Sequence, residues 1–166
     1  IPVMRLFYQR GYILALLLVV ESFSTIILHS YEATLSVVLM FFVPMLISVG
    51  GNASNQTSAM VIHGMAMGDL AYDDMFRFVK REMVVSACLA VLLALVGFVR
   101  VYITSHAIWE GVAISLTLAL IVFFASILGS CIPFVLKRLR IDPAFAAGPF
   151  LATLMDILGI MLFCYV

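Results

Sequence analysis

The chain has 166 residues, no formal net charge, 65% hydrophobic residues and only 11% charged ones, and its mean hydropathy is +1.22. That composition lies outside the range of soluble globular domains and predicts an integral membrane protein. The basic residues sit in short groups beside apolar stretches rather than on one basic face, which argues against nucleic acid as a partner.

Apolar stretches long enough to cross a bilayer, roughly 20 residues at ~1.5 Å each, lie at about 11–29, 35–67, 83–99, 109–136 and 144–166. They predict an all-α membrane protein with five transmembrane helices. The chain begins at Ile1 and enters the first stretch almost at once, so it is expected to be one part of a longer protein, with 1–166 as its transmembrane domain. Midway along the first span stands Glu21, readable as a second cation ligand, a proton-carrying group, or a protonated acid bonded to a neighbouring helix; the last is favoured.

The second stretch is long enough to cross with a break, and Pro44, Gly50 and Gly51 are the expected source of a kink. Within it, residues 49–58 read VGGNASNQTS. Hydrogen-bonding groups at membrane depth are satisfied only by protein or by a water-filled cavity, so this run reads as the lining of a pore or site. Residues 69–82, DLAYDDMFRFVKRE, mix apolar and charged side chains as an interfacial helix would. Asp73 and Asp74 in it read as solvated. Tyr102 and Trp109 flank the connector between the third and fourth spans, where amphipathic rings prefer to sit.

The fourth span carries Ala125, Ser126, Gly129 and Ser130, small residues that let a neighbouring helix approach closely. At the entry to the fifth, Asp142 reads as an N-cap and Pro143 as the first helical residue. Eight of the nine basic residues, all but Arg100, fall on one side of this arrangement. The positive-inside rule then places the start of the chain in the cytoplasm and its end outside, in a multi-pass protein of the plasma (inner) membrane.

Asp156 lies deep in the fifth span, where an unpaired carboxylate is a functional-site hypothesis by default. On a helix, Ala152 and Gly159 share its face and leave room beside the charge. No span interior offers a Lys or Arg to pair with it. Magnesium keeps several of its waters and takes one or two carboxylates plus neutral oxygens, a recipe that Asp156 with Asn52 and Asn55 fits. Oxygen ligands argue against zinc or copper, but do not by themselves separate Mg2+ from Mn2+ or Ca2+. Cys88, Cys131 and Cys164 are widely spaced, form no CxxC or Cys/His grouping, and read as packing residues. His29, His63 and His106 lie near span ends and read as solvated or capping side chains.

In PMLISVGGNASNQ, GMAMGDL, ALIVFFASILGSCIPFVLKRL and DPAFAAGPFLATLMDILG the chain resembles the membrane domain of the MgtE magnesium channels. The likeness runs from about Pro44 to Tyr165, and GGNxxNQ with DPAxxxxPxxxTxxD is a specific combination. The resemblance implies a homodimer whose ion path follows the two-fold axis, lined by the second and fifth spans. It places the ion-binding aspartate on Asp156, a ligating carbonyl on Ala152, and the motif asparagines on Asn52 and Asn55. Gly50, Gly51, Gly148 and Gly159 are the expected pore-lining glycines. Ser54, His63, Ala147 and Gly148 depart from common family residues, and Glu21 has no matching counterpart. The cytosolic regulatory domains of family members have no equivalent in these residues.

The resulting expectation is a Mg2+-selective channel, not an enzyme, with membrane lipid, a divalent cation and a second copy of itself as partners, carrying the ion into the cytoplasm down the membrane potential. A proton- or sodium-coupled secondary transporter is the alternative. An intramembrane protease would need a pair of acids, and only Glu21 with Asp156 offers one, without the sequence context such enzymes use.

Overall fold

The apolar stretches close their backbone hydrogen bonds internally, as lipid requires, and so fold as helices. The computed structural model describes residues 2–166, with the backbone alone for Tyr72; Ile1, the first residue of the expected domain, lies outside the described residues. In chain order the helices are α1 (Val3–Tyr31), α2 (Val37–Met40), α3 (Val43–Met67), α4 (Met75–Ser105), α5 (Ile108–Arg138) and α6 (Pro143–Tyr165). Five helical segments are long and apolar enough to cross a membrane, with Val37–Met67 forming one of them. The helices extend beyond the apolar stretches because flanking Arg and Lys side chains carry their charge outward on flexible stems.

Two local expectations are corrected. The interruption in the second span falls at Phe41 and Phe42, ahead of Pro44, which occupies the first turn of α3. Proline is tolerated there because its missing N–H would have no intrahelical partner. Gly50 and Gly51 instead sit within continuous helix. Residues 69–82 also form no separate interfacial helix: a single 3-10 turn, Tyr72–Asp74, leads directly into α4 at Met75. Burial of Phe78 against Val61 and Phe134 draws these first turns of α4 into the bundle.

The turn before them is set by Gly68, whose φ of 80° puts it in the left-handed region that glycine enters without strain. The amides of Asp69 and Leu70 close back onto the Gly64 carbonyl at 3.0 and 3.1 Å. Asp142 caps α6 as expected, accepting from the Ala144 amide at 3.0 Å, with Pro143 as the first helical residue.

Helix α5 is the hub, packing against α3, α4 and α6. Its fully buried stripe includes Ile114, Leu118, Ile121, Ala125, Ser126 and Ser130. Small residues set the spacing of its crossings. A Cβ on Gly97 of α4 would meet the Leu118 side chain, and one on Gly111 of α5 would meet Phe98 of α4, so each helix seats a large side chain over the other's glycine. At the α3 crossing the approach is closer still, because a Cβ on Gly129 would collide with the backbone carbonyl of Ser54. Helix α1 stands apart: it packs chiefly on α6 and buries only Ser24.

Backbone does not yield as a side-chain tip does, and overpacking of this kind costs ~1–3 kcal/mol. Gly129→Ala should therefore lower the midpoint of thermal unfolding in detergent or nanodiscs. Gly11→Ala, at a position with nothing within 4 Å of the added atom, should leave the midpoint at or above the parent value.

Candidate ion site and its lining

The crossing with α5 decides which face of α3 is covered. Gly50, Ser54, Thr57, Ser58 and Val61 turn inward and are buried, whereas Ser48, Asn52, Asn55, Gln56 and His63 stay exposed on the single chain. Residues 48, 52, 55, 59 and 63 recur at helical spacing, so the exposed side chains form a polar stripe about 22 Å long at ~1.5 Å per residue. Two amide side chains thus stay exposed on the single chain at membrane depth. Ser58, on the buried side, has a hydroxyl oxygen with no hydrogen-bond partner.

The expected site residues occupy adjoining surfaces rather than a single cluster. Asn52 lines a cavity of about 620 Å3 shared by α3, α4 and α5. Asn55 faces α6, where its amide oxygen would lie 3.7 Å from a Cβ added to Gly148. Gly51 has open space where a side chain would project. Gly50 and Gly159 turn instead toward Ile121 of α5, and Met155 closes over Gly50, so their visible role is close helix packing. Ala152 and Asp156 are both half-buried on α6.

Asp156 has a neighbour from the first span. The Glu21 side chain lies close enough to interact with its carboxyl across the contact of α1 with α6. Among the described residues no group of three or more His, Cys, Asp or Glu could hold a metal ion. An ion at Asp156 would depend on neutral oxygens and water for its remaining ligands, as Mg2+ chemistry allows.

Of the histidines, His29 pairs with Glu32 at 2.9 Å just beyond α1, and His106 closes the end of α4 with a φ of 53°. Both act at helix ends, as expected.

Sequence reasoning missed Glu82. Assigned to a solvated linker, it is only 4% exposed, and it accepts a hydrogen bond from Thr57 Oγ1 of α3 at 3.1 Å. The signal was present in the spacing: Phe78, Glu82, Ser86 and Ala90, all buried, recur every four residues along one face of α4. The neighbouring Lys80 and Arg81 masked it by making the segment look polar all round.

Residues 43–166 match the family model described as MgtE, divalent cation transporter. The chain is 36% identical over 152 residues to the magnesium transporter MgtE of Thermus thermophilus, a match covering 90% of this chain and 34% of that protein. It is 34% identical over 169 residues to the magnesium transporter MgtE of Bacillus subtilis, covering 94% of this chain and 35% of the other. The corresponding Enterococcus faecalis protein is 26% identical over 139 residues, covering 82% and 31%. The chain thus spans about a third of the length of the curated relatives it matches.

Removing the Thr57 hydroxyl would leave the buried Glu82 carboxyl short of a donor, which costs ~1–3 kcal/mol. Thr57→Val, nearly equal in volume, should lower thermal stability by that amount, and Thr57→Ser should restore most of it. Unfolding curves of the three proteins in the same lipid provide the comparison.

Proposed function

The chain belongs to the MgtE family of divalent cation transporters, and on that premise we propose that it forms the ion path of a homodimeric Mg2+ channel. The observation that carries this reading is the polar stripe of α3, exposed on the single chain at membrane depth. Such a stripe is compatible with a bilayer only when it faces protein or water. A second copy related by a two-fold axis supplies both: each α3 stripe faces the other across a hydrated path, with α6 alongside and two Asp156 carboxyls to neutralise a divalent ion.

In this arrangement Asp156 supplies charge, Ala152 a backbone carbonyl, and Asn52 and Asn55 amide oxygens, while Gly51 and Gly148 leave width for the waters that Mg2+ retains. The relatives are named magnesium transporters, which favours Mg2+ over Mn2+ or Ca2+, ions served by similar hard oxygen ligands. With the start of the chain in the cytoplasm, a divalent ion moving inward gains roughly 4.6 kcal/mol per 100 mV of potential, so no coupled gradient is needed. No covalent step enters the mechanism.

A second reading has one specific observation behind it. Two acids side by side across the α1–α6 contact, Glu21 and Asp156, are what a proton-coupled carrier would use to exchange a proton for its cation. Proteoliposomes under an imposed potential, with pH and sodium equal on both sides, separate the two. Uptake under those conditions supports the channel, whereas uptake that demands a proton or sodium gradient supports the carrier.

Asp156→Asn keeps the shape and one oxygen but removes the charge. It should reduce Mg2+ uptake at least ~10-fold, corresponding to about 1.4 kcal/mol of lost ion stabilisation, while the dimer elutes as the parent does. Uptake at the parent rate under the same potential would place the ion site elsewhere.

A further inference from the structure

Among the described residues of the membrane-crossing helices, one carboxyl is buried and unused by the proposed path. Glu82 is 4% exposed, and the hydrogen bond from Thr57 Oγ1 engages only Oε1. A carboxylate offers about four acceptor positions, and burying one costs several kcal/mol unless a cation or a set of donors compensates. No basic side chain is among the described residues lining its cavity.

The surroundings are suited to a hydrated ion. Glu82, Asn52, Gln56, Thr57 and Ser126 contribute polar groups to a cavity of about 620 Å3, lined further by apolar residues such as Leu89 and Leu93 of α4. A cation with its six waters needs roughly 180 Å3 at ~30 Å3 per water, so the cavity admits one with its hydration shell intact. Asn52 and Gln56 line the same cavity as the buried carboxyl, a donor set of one acid plus amide oxygens that suits a hard divalent cation keeping its waters. A side chain serving only to tie α4 to α3 would need the Thr57 hydroxyl and no polar groove beside it.

We propose that this cavity is a second cation subsite, in which a hydrated divalent ion is held by the Glu82 carboxylate with Asn52 and Gln56 completing its shell through water. The subsite borrows the kind of ion from the transport reading above and shares Asn52 with it, but Glu82 and Gln56 play no part in that reading and Asp156 does not line the cavity. Asn52 lies on the polar stripe and also on the cavity wall, so an ion leaving Glu82 has a short route onto the proposed path.

The test uses Mn2+ as the probe, counted by electron paramagnetic resonance on the protein in nanodiscs of neutral phosphatidylcholine. The Asp156→Asn protein should retain one bound Mn2+ per chain that the Asp156→Asn/Glu82→Gln protein loses. Gln56→Leu in the Asp156→Asn background should bind that ion at least ~10-fold more weakly. Gln56 is exposed on the single chain, so this variant keeps the test valid where the Glu82 variant folds poorly. An unchanged Mn2+ count in the Glu82 variant, or an unchanged affinity in the Gln56 variant when the former does not fold, overturns the subsite. Lower thermal stability with no loss of Mn2+ likewise reduces Glu82 to a structural tie. If Asp156→Asn alone binds as the parent does, the Asp156 reading fails while the Glu82 subsite still stands or falls on the second substitution.

Discussion

Helix α5 lies against α3 with backbone nearly touching backbone, because Gly129 has no side chain to keep the Ser54 carbonyl at a distance. Such close crossings are how membrane helices associate where lipid removes the hydrophobic drive between them. The crossing also sets the rotation of α3 about its axis. Once Gly50, Ser54, Thr57 and Val61 are committed to the interior, helical geometry turns Asn52, Asn55 and Gln56 outward. The small residues in the glycine-rich motif and the amides between them therefore have complementary tasks: the first bring α5 close, and the second are left facing whatever lies beyond the single chain.

The Gly50 contact extends the same constraint to α6. Ile121 of α5 and Met155 of α6 close over Gly50, and Ile121 also touches the Gly159 position, so three helices interlock around one aliphatic side chain. Met155 faces this core while its neighbour Asp156 turns toward α1. The carboxyl is thus carried on a helix rigidly held by its apolar face, while the element opposite it is the least anchored of the five spans. Helix α1 buries a single serine, and segments with few buried contacts are those that open at low free-energy cost.

Thr57 and Glu82 form a polar link between α3 and α4. The polar stripe of α3 reaches the Glu82 cavity through Asn52 and meets α6 at Asn55, beside Gly148. On the proposed reading, α3 is then the surface along which an ion passes between the Glu82 carboxyl and that of Asp156.

Much of this was legible in the residues. Mean hydropathy and the lengths of the apolar stretches determined an all-α membrane architecture, because lipid leaves the backbone no alternative to internal hydrogen bonding. The cost of burying charge singled out Asp156, and the amide-rich run singled out Asn52 and Asn55, since each is expensive at membrane depth without a purpose. Capping chemistry at Asp142 and Pro143 was equally local and equally readable. Which face of a helix meets which neighbour was decided only in three dimensions. Sequence spacing puts Asn52 and Asn55 on one stripe, but the tertiary packing assigns Asn52 to the α4 cavity and Asn55 to α6, and turns Gly50 and Gly159 into packing positions. It brought Glu21 to Asp156 across more than a hundred residues of chain, and it buried Glu82 within a segment whose charges read as solvated. Local pattern reports the cost of placing a residue in lipid, whereas the partner that offsets the cost comes from another helix and is fixed by how close the backbones can approach.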